Sequence, residues 1–485
     1  MRYQSKDEYI DLTPFLNAGS TVRTSKSIRD PAGCFSIVFA DRPHNAFEGV
    51  PTLAWTEIES VYGLVEPMDV VEIRMHSGMG NWSRSAGGSP LYPIRMRGFI
   101  TEIRRAQSIG QDGRPSRQVI VTGHDYGKIW QMYQVLHLPS YSQTSPLLTS
   151  QKFNELFGGP TVNTVEASEF VRIVIERVIN PFIEKFMPEH TPMPRSIQTG
   201  DSLQVKHGVI NNSYQNQDGS SVYDLMTFHG DVGTWNELYI EDRDDGVHCV
   251  YRPVPSLLLT RSENDADGLV QDDAVMPPVV TIDDSLIVSL TTARSDANVA
   301  NFFWVNNARY DLISDQARKM AALSEGDSRV SLENYPNSAV KYYAVRPMYA
   351  ETQQSGDGVT NAGSGLNEPQ QSQRTGEQMS WIESRLRILR ETNKDNVVYE
   401  RGTAVVKGGL MRPNSTELLK AGDYVKFVIG KVEFMAYVVQ LDDDFSPFQG
   451  YTTTITFERG EGFAERVKME GGRMSPWLAE QATAR

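Results

Sequence analysis

The amino-acid sequence predicts a mainly β protein with α+β insertions. Three observations support this class. Residues 1–140 contain short alternating runs separated by turn-forming residues, helical spacing of apolar side chains first becomes clear near residue 164, and alternation returns in the last quarter of the chain. We therefore expect a group of antiparallel strands towards each end of the chain, each forming a small barrel or sandwich, with smaller helical and mixed domains between them.

The composition is that of an acidic globular protein. The 485 residues include 47 Lys and Arg against 61 Asp and Glu, which gives a formal net charge of −14. This length is typical of about three domains. Proteins that grip nucleic acid phosphates over a large surface need clustered basic side chains, so the acidic balance argues against that class. It does not exclude a protein that DNA passes without being held.

Targeting and redox signals are sparse. The first residues, MRYQSKDEYIDL, lack the apolar core of a signal peptide, and no apolar run reaches the length of a membrane span. The two cysteines, Cys34 and Cys249, lie far apart in sequence. We expect two semi-buried free thiols in a protein made in a reducing compartment.

Residues 1–140 are interpreted as the first β-barrel domain. Phe35–Asp41 alternates between turns, and Met68–Gly78 alternates with Val71, Ile73 and Met75 on one face. Two further strand candidates, 94–107 and 117–131, are joined by a connection whose Asp112-Gly113 pair favours a tight hairpin.

The middle of the chain combines helices with a hairpin. Residues 141–215 are predicted to be a helix-containing insertion, whose main helix is capped by Thr164 or Asn163 and kinked or divided at Pro181. Residues 216–350 are predicted to be a mixed α+β domain with a β-hairpin turning at 243–246.

The remaining chain is divided into three parts. The tract Glu351–Gln378 is rich in Gln, Ser, Gly and Asn, which predicts a polar loop or linker. Residues 379–465 predict a helix and the strands of the second barrel. The helix carries an apolar stripe of four residues: Trp381, Ile382, Leu386 and Leu389. Residues 466–485 are expected to be a loosely tethered tail.

No catalytic, cofactor or metal site is predicted. The eight histidines are scattered without metal-ligand spacing, and phosphate-loop, dinucleotide and nucleophile-elbow motifs are absent from the sequence. The pair His124-Asp125 lies at a strand end and is only weakly typical of a catalytic pair. The acidic run 442–444 and the set Asp242, Asp244 and Asp245 lack the spacing of a calcium loop and are expected to be solvated hairpin tips.

Aromatic residues and loops supply the remaining candidates for contact. Trp235, Trp304 and Trp381 lie in periodic apolar patterns and are expected in the core, whereas Trp82 is expected at the surface. The segments Gly78–Pro90 and Asp442–Gln449 are nominated as loops that meet neighbouring subunits, with solvated loops as an equally weighted alternative.

Three parts of the sequence resemble one known family. Residues 234–255 (TWNELYIEDRDDGVHCVYRPVP) and 418–462, which begin LLKAGDYVKFVIG, are similar to segments of hub proteins in contractile bacteriophage tails. The pairing of VEIRM with RGFITEI and VIVTGHDYGKIW resembles the first barrel of that family. The family is the baseplate hub or late-control group, related in fold to the hub part of type VI secretion spike proteins.

The resemblance implies a structural, non-enzymatic hub without cofactors. It implies a homotrimer in which each subunit gives two tail-tube-like β-barrel domains. The resulting ring would adapt a six-fold tail tube to a three-fold spike and leave a channel through which DNA passes without specific binding. The implied partners are the tail tube protein, the central spike protein and other baseplate proteins, without membrane insertion. The implied location is the virion tail baseplate, after assembly in the host cytoplasm.

Two other classes remain open from the sequence. One is a tail-associated enzyme that degrades cell wall or polysaccharide, because a carboxylate pair cannot be identified from spacing alone. The other is a tail protein that binds a receptor or glycan. Degradation of purified cell-wall sugars would favour the enzyme, and a monomer that binds a host glycan would favour the binding protein.

Overall fold

The structure is a computed structural model, and it describes the following residues: 11–40, 61–76, 92–109, 115–136, 148, 150–157, 164–187, 191, 193–211, 220–255, 277–307, 336–356, 368–430, 432–447 and 449–462. Within these ranges, strands hold more residues than helices, so the predicted mainly β class is confirmed.

The described strands are short except for four near the chain ends. In order, they are β1 (Thr21–Ser27), β2 (Cys34–Ala40), β3 (Val70–Arg74), β4 (Ile94–Ile109), β5 (Pro115–Asp125), β6 (Thr164–Glu166), β7 (Ile197–Gln198), β8 (Val209–Asn211), β9 (Asn236–Arg243), β10 (Gly246–Pro253), β11 (Val279–Asp283), β12 (Ile287–Ala293), β13 (Phe302–Asn307), β14 (Pro347–Thr352), β15 (Glu400–Lys407), β16 (Tyr424–Ile429), β17 (Val432–Ser446) and β18 (Gly450–Gly462).

The described helices lie mostly in the middle of the chain. They are α1 (Gly127–Met132), α2 (Ser150–Glu155), α3 (Ala167–Val174), α4 (Asn180–Phe186), α5 (Val222–His229), α6 (Val340–Tyr343) and α7 (Glu368–Asn393). A π-helical turn, Ile175–Ile179, joins α3 to α4. Short 3₁₀ turns are formed by Thr13–Phe15, Val61–Gly63, Asp284–Leu286, Asp296–Asn298 and Pro336–Ser338.

One 11-stranded sheet joins the two ends of the chain. Its main path is β12-β15-β18-β17-β1-β2-β5-β4-β3, and β16 pairs with β17 and carries β11 at its other side. The connection between the terminal strand groups is the antiparallel pairing of β1 with β17, in register from Val22↔Phe445 to Ser27↔Gln440. The N-terminal and C-terminal strand groups therefore share a continuous hydrogen-bonded ladder.

The C-terminal strand group is curled. Its six strands run in the order β11-β16-β17-β18-β15-β12, so β11 and β12 are at opposite ends. In a flat sheet they would be roughly 24 Å apart at about 4.8 Å per strand. Only the turn Asp284–Leu286 joins them, and four residue steps reach about 14 Å at most. The sheet bends around a buried apolar core that includes Val425, Phe427 and Phe457.

The N-terminal strand group encloses a second core. Apolar side chains from β1 to β5 meet there, including Phe39, Met96 and Val121, and Tyr451 from β18 joins them. The face of β3 to which the alternation assigns Val71, Ile73 and Met75 is turned inwards: Ile73 and Met75 are buried in this core, and Val71 packs against it.

A third core fills the middle of the molecule. The helices α1 to α5 pack with one face of the hairpin β9–β10, and this core contains Trp130, Phe170, Ile183, Leu238 and Tyr251. The helical segment and the predicted mixed segment are therefore in direct apolar contact. A smaller core lies between α7 and β13–β14.

The main helix of this core begins later than predicted. Residues Thr164–Glu166 form β6, paired with β8, and α3 starts at Ala167 without a side-chain cap from its N-cap residue Glu166. The partner strand β8 provides hydrogen bonds to the backbone groups that a Thr164 cap would otherwise have satisfied. Pro181 lies at the start of α4, directly after the π-helical turn. Proline lacks an N–H and so cannot donate a helical hydrogen bond. The helix is therefore divided here, where the π-helical turn gives way to α4, as predicted.

Two other boundaries differ from the predicted ones. The strand predicted over 117–131 ends at Asp125, and Gly127–Met132 is helical, because Ile129 and Trp130 turn into the middle core. The hairpin β9–β10 and the strands β15 to β18 are confirmed, and Gly430 forms the tight β16–β17 turn with φ 60°.

The predicted polar linker is wrong for the described parts of Glu351–Gln378. Strand β14 extends to Thr352, and α7 begins at Glu368. Asp231 explains the burial of a stretch without large apolar residues: its carboxylate accepts hydrogen bonds from the Thr352 hydroxyl and from the backbone N–H of Gln353 at 2.6 Å. Hydrogen bonds rather than apolar packing fix this segment.

The apolar stripe predicted for α7 is confirmed. Trp381, Ile382, Leu386 and Leu389 are all buried. On the same helix, the guanidinium of Arg385 lies between two tryptophan rings, 4.8 Å from the centroid of Trp235 and 4.4 Å from that of Trp381. The Asp112-Gly113 turn, Trp82, Gly78–Pro90 and 466–485 lie outside the described residues.

Candidate functional site: a charged junction around one hairpin

The hairpin β9–β10 lies between the three main parts of the molecule. Alternate residues of β9 face in opposite directions, as the two-residue period of a strand requires. Leu238 and Ile240 are buried in the middle core, whereas Glu237, Tyr239 and Glu241 face the C-terminal strands. We call the buried charges around this hairpin the charged junction.

Glu241 is held by cations from the C-terminal part of the chain. Arg412 Nη1 lies 3.2 Å and Lys420 Nζ 3.4 Å from Glu241 Oε1, and Arg243 Nε lies 2.8 Å from the same oxygen. Arg412 also pairs with Asp423. Burial opposes ionisation, but Lys420, Arg412 and Arg243 together hold the pKa of Glu241 well below its usual range.

Glu237 makes a second buried contact with the C-terminal strands. The hydroxyl of Tyr437, in β17, lies 2.6 and 2.7 Å from the two carboxylate oxygens and donates to them. Arg252 Nε, on β10, lies 3.1 Å from the same carboxylate, and Arg252 Nη2 donates to the carbonyl of Gly422. Burial raises the pKa of Glu237, although Arg252 and the Tyr437 hydrogen bond oppose that rise.

The N-terminal strands hold the other side of the hairpin. Arg97, in β4, donates from Nη1 to the carbonyls of Arg243 and Gly246 at 2.8 and 3.1 Å, while its Nε pairs with Glu72 at 2.9 Å. Lys26, in β1, lies 2.6 Å from Asp125 and 3.6 Å from Asp242. The hairpin is thus contacted by Lys26 from β1 and Arg97 from β4, which pair in turn with Asp125 on β5 and Glu72 on β3.

A second buried ion pair joins the terminal strand groups directly. Asp443, in β17, accepts hydrogen bonds from Arg95, from the Tyr451 hydroxyl at 2.9 Å and from the Thr453 hydroxyl at 2.6 Å. Arg95 belongs to β4, four strand positions from β17, or about 19 Å in a flat sheet. The contact therefore requires this part of the sheet to curl as well.

The predicted solvated acidic tips are wrong at two positions. Asp443 is 2% exposed and Asp242 is 5% exposed. The run 442–444 is part of β17 rather than a tip, so its alternate residues point to opposite faces. Likewise, the nominated contact loop Asp442–Gln449 is mostly strand, because β17 continues to Ser446 and β18 starts at Gly450.

One group of side chains resembles a catalytic triad. His248 Nδ1 lies 3.4 Å from Ser202 Oγ, and His248 Nε2 lies 2.9 Å from Asp245 Oδ1. Ser202 is 3% exposed, and Arg243 Nη1 is also directed at His248 Nδ1 at 3.5 Å. Because His248 Nδ1 is shared between Ser202 and Arg243 and its three partners all lie on or beside the hairpin, this geometry fits a hairpin-stabilising network.

The other residues nominated from the sequence are dispersed. Asp125 is buried against Lys26, and among the described residues the neighbouring His124 has no hydrogen-bond partner at its buried Nδ1. Cys249 is buried and Cys34 exposed, and both are free thiols. Trp235 and Trp381 are in the core as predicted, whereas Trp304 is half-buried.

Within the described ranges, no group of three or more His, Cys, Asp or Glu side chains is arranged to hold a metal ion. Among the helices of those same residues, none is both long enough and apolar enough to cross a membrane.

The sequence contained a partial signal for the charged junction. In NELYIED, a period of two places Glu237, Tyr239 and Glu241 on one face and the apolar Leu238 and Ile240 on the other, as in a strand whose two faces are both occupied. The partners Arg412, Lys420 and Tyr437 are about 170 to 200 residues away, so they could not be paired with that strand by spacing.

Searches against protein-family models and curated proteins find no match. Among solved structures, a tail protein from Neisseria meningitidis aligns with 12% identity and a TM-score of 0.40, covering 90% of this chain and 91% of that one. The 43 kDa tail protein of a Shewanella oneidensis prophage aligns with 10% identity and a TM-score of 0.41, covering 91% and 93%.

A third solved structure is an Escherichia coli component of the type VI secretion system, described as structurally similar to the bacteriophage T4 tail proteins gp27 and gp5. It aligns with 10% identity and a TM-score of 0.30, covering 90% of this chain and 72% of that one. The three descriptions name the classes of protein that the sequence resembles. With TM-scores below 0.5, the alignments by themselves establish neither a shared fold nor a function.

Proposed function

We propose that this protein is a structural, non-enzymatic hub of a contractile-tail baseplate. Its subunits would form a homotrimeric ring between a six-fold tail tube and a three-fold spike. The observation that carries the proposal is the architecture of the single chain: two curled strand groups, each around its own apolar core, are joined in one sheet by the pairing of β1 with β17. Two similar β-barrel domains per subunit would give six around a ring of three.

The charged junction supports a mechanical rather than a catalytic role. Buried ion pairs and hydrogen bonds attach the hairpin β9–β10 to both strand groups, through Arg97 on one side and through Glu237 and Glu241 on the other. Breaking such a pair exposes an uncompensated buried charge, which opposes relative motion of the parts. A ring that transmits force between a tube and a spike requires this rigidity.

The domain organisation follows from the same proposal. Residues 1–140 and 379–465 would supply most of the two tail-tube-like barrels, and 141–215 and 216–350 the helical and mixed parts between them. The ring would contact the tail tube protein, the central spike protein and other baseplate proteins. Its place would be the virion tail, after assembly in the host cytoplasm.

The decisive experiment is the mass of the purified protein by light scattering over a wide concentration range. The expected result is three times the chain mass, without dependence on concentration, because hub interfaces are large and obligate. A monomer at all concentrations would contradict the proposal. Labelled protein in tail particles, imaged by electron microscopy, should then lie on the tail axis.

The acidic balance adds a testable detail to the ring. The net charge of −14 suits a channel through which DNA slides without being held. A structure of the assembled ring should therefore show an acidic or neutral channel wall. A strongly basic wall would contradict this part of the proposal.

A further inference from the structure

The N-terminal face of the charged junction contains one cation between two buried carboxylates. Lys26 Nζ lies 2.6 Å from Asp125 Oδ2 and 3.6 Å from Asp242 Oδ2. The side chains of Asp125 and Asp242 are 1% and 3% exposed, and that of Lys26 is 16% exposed. Asp125 belongs to β5 of the N-terminal strand group and Asp242 belongs to β9 of the hairpin, so Lys26 lies at the contact between these two parts.

The two carboxylates are not equally satisfied. Asp125 accepts the Lys26 hydrogen bond and, at Oδ1, a second bond from the backbone N–H of Gly127 at 2.9 Å. In the described part of the chain, neither carboxylate oxygen of Asp242 accepts a hydrogen bond of normal geometry, and the backbone N–H of Arg97 is a nearby donor. A buried anion without hydrogen bonds is strongly disfavoured relative to its neutral form.

The other charges near Asp242 do not remove this imbalance. Arg97, from β4, is the second cation near Asp242, but its guanidinium is directed at Glu72 and at two carbonyls of the hairpin turn. Glu241, the next residue on β9, faces the C-terminal cations instead. Burial raises the pKa of Asp242 and the negative charge of Asp125 adds to the rise, whereas Lys26, the Arg97 guanidinium and the nearby backbone N–H of Arg97 oppose it.

We propose that Asp242 is a pH-sensitive contact: its neutral form favours seating of the hairpin on the N-terminal sheet, and its ionisation loosens that joint. The sharing of one lysine by two buried carboxylates, one of which has unsatisfied oxygens, carries the proposal. It concerns a joint within one chain, so it holds or fails independently of the proposed hub.

The direction of the effect follows from proton linkage. Opening the joint hydrates Asp242 and returns its pKa to the ordinary value, so the open state releases a proton. Opening should therefore become more favourable as the pH rises from the ordinary pKa to the raised one, and then level off. Within that window one linked proton gives about a tenfold change in the opening equilibrium per pH unit.

Hydrogen exchange measured by mass spectrometry can test this at residues 236–253. The full-length protein and its Asp242→Asn variant are compared at each pH from 4 to 9, so that the intrinsic pH dependence of exchange cancels. We expect equal exchange near pH 4 and progressively faster exchange of the unmodified protein above it. The exposed Asp201→Asn substitution is the matched control. The ratio of hairpin exchange rates between this variant and the unmodified protein should stay constant across the pH range.

A second variant distinguishes the proposal from a simple loss of folding. In Asp125→Asn, Lys26 is left with a single carboxylate, so Asp242 should ionise at lower pH and exchange of the hairpin should become less pH-dependent. Retention of the original pH dependence in Asp125→Asn would overturn the proposal. The proposal would also be overturned if the ratio of hairpin exchange rates between Asp242→Asn and the unmodified protein were constant across the pH range.

Discussion

At the scale of single residues, burial separates side chains that are identical in sequence. In the run 442–444, Asp443 is 2% exposed, whereas the other two acids are partly exposed. The two-residue period of β17 directs only the middle carboxylate towards Arg95, Tyr451 and Thr453. Whether an acidic side chain in this run forms a buried ion pair therefore depends on the strand face that it occupies.

Replacement of Asp443 tests this distinction. Asp443→Ala leaves Arg95 buried without its anion, so we expect a loss of about 3–5 kcal/mol in the free energy of unfolding. Asp442→Ala, on the opposite face, should change it by about 0.5 kcal/mol or less. Urea denaturation followed by circular dichroism measures both. Equal effects of the two substitutions would contradict the assignment.

The hydroxyl of Tyr437 gives a second prediction at this scale. Tyr437→Phe removes the hydrogen bonds to the buried Glu237 while keeping the ring, so we expect a loss of about 1–3 kcal/mol. Tyr349→Phe, at a position that is 70% exposed, is the control and should be close to neutral. A shift in the thermal midpoint for Tyr437→Phe no larger than that for Tyr349→Phe would argue against a role for this contact.

At the scale of elements, local sequence signals and long-range contacts act together. Helix α5 begins with a capping box: Ser221 Oγ accepts from the Asp224 N–H, and Asp224 Oδ2 accepts from the Ser221 N–H. The helix then buries Val222 and Met226 in the middle core. The cap fixes where the helix starts, and the core fixes which face is turned inwards.

The capping box can be tested by one substitution. Ser221→Ala removes the acceptor for the Asp224 N–H and should lower the free energy of unfolding by about 1 kcal/mol. Ser289→Ala, on the exposed side of β12, is the matched control with little expected effect. Hydrogen exchange of residues 221–229 should increase only in Ser221→Ala. Unchanged exchange there would show that the core alone holds the helix start.

At the scale of the whole molecule, the pairing of β1 with β17 makes the two terminal strand groups interdependent. The six paired positions lie more than 400 residues apart in sequence. Both groups also contact the same hairpin through buried charges. We therefore expect the parts to unfold together rather than as independent domains.

A fragment of residues 1–140 tests that expectation. Without β17, strand β1 loses one of its two partners, and Arg95 loses Asp443. We expect the isolated fragment to lack a cooperative thermal transition in circular dichroism, whereas the full chain shows one. A stably folded fragment would show that the first barrel is an autonomous unit.

The sequence by itself determined the mainly β class, most strand positions, the hairpin at 243–246 and the apolar stripe of α7. These features follow from periodicity and turn chemistry, which act over a few residues. Only the tertiary structure decided that Glu351–Gln378 is partly buried, that Asp443 and Asp242 are inside, and that β1 pairs with β17. Each of these depends on partners over 100 residues away, as with Asp231 and Gln353, and local patterns carry no information about such partners.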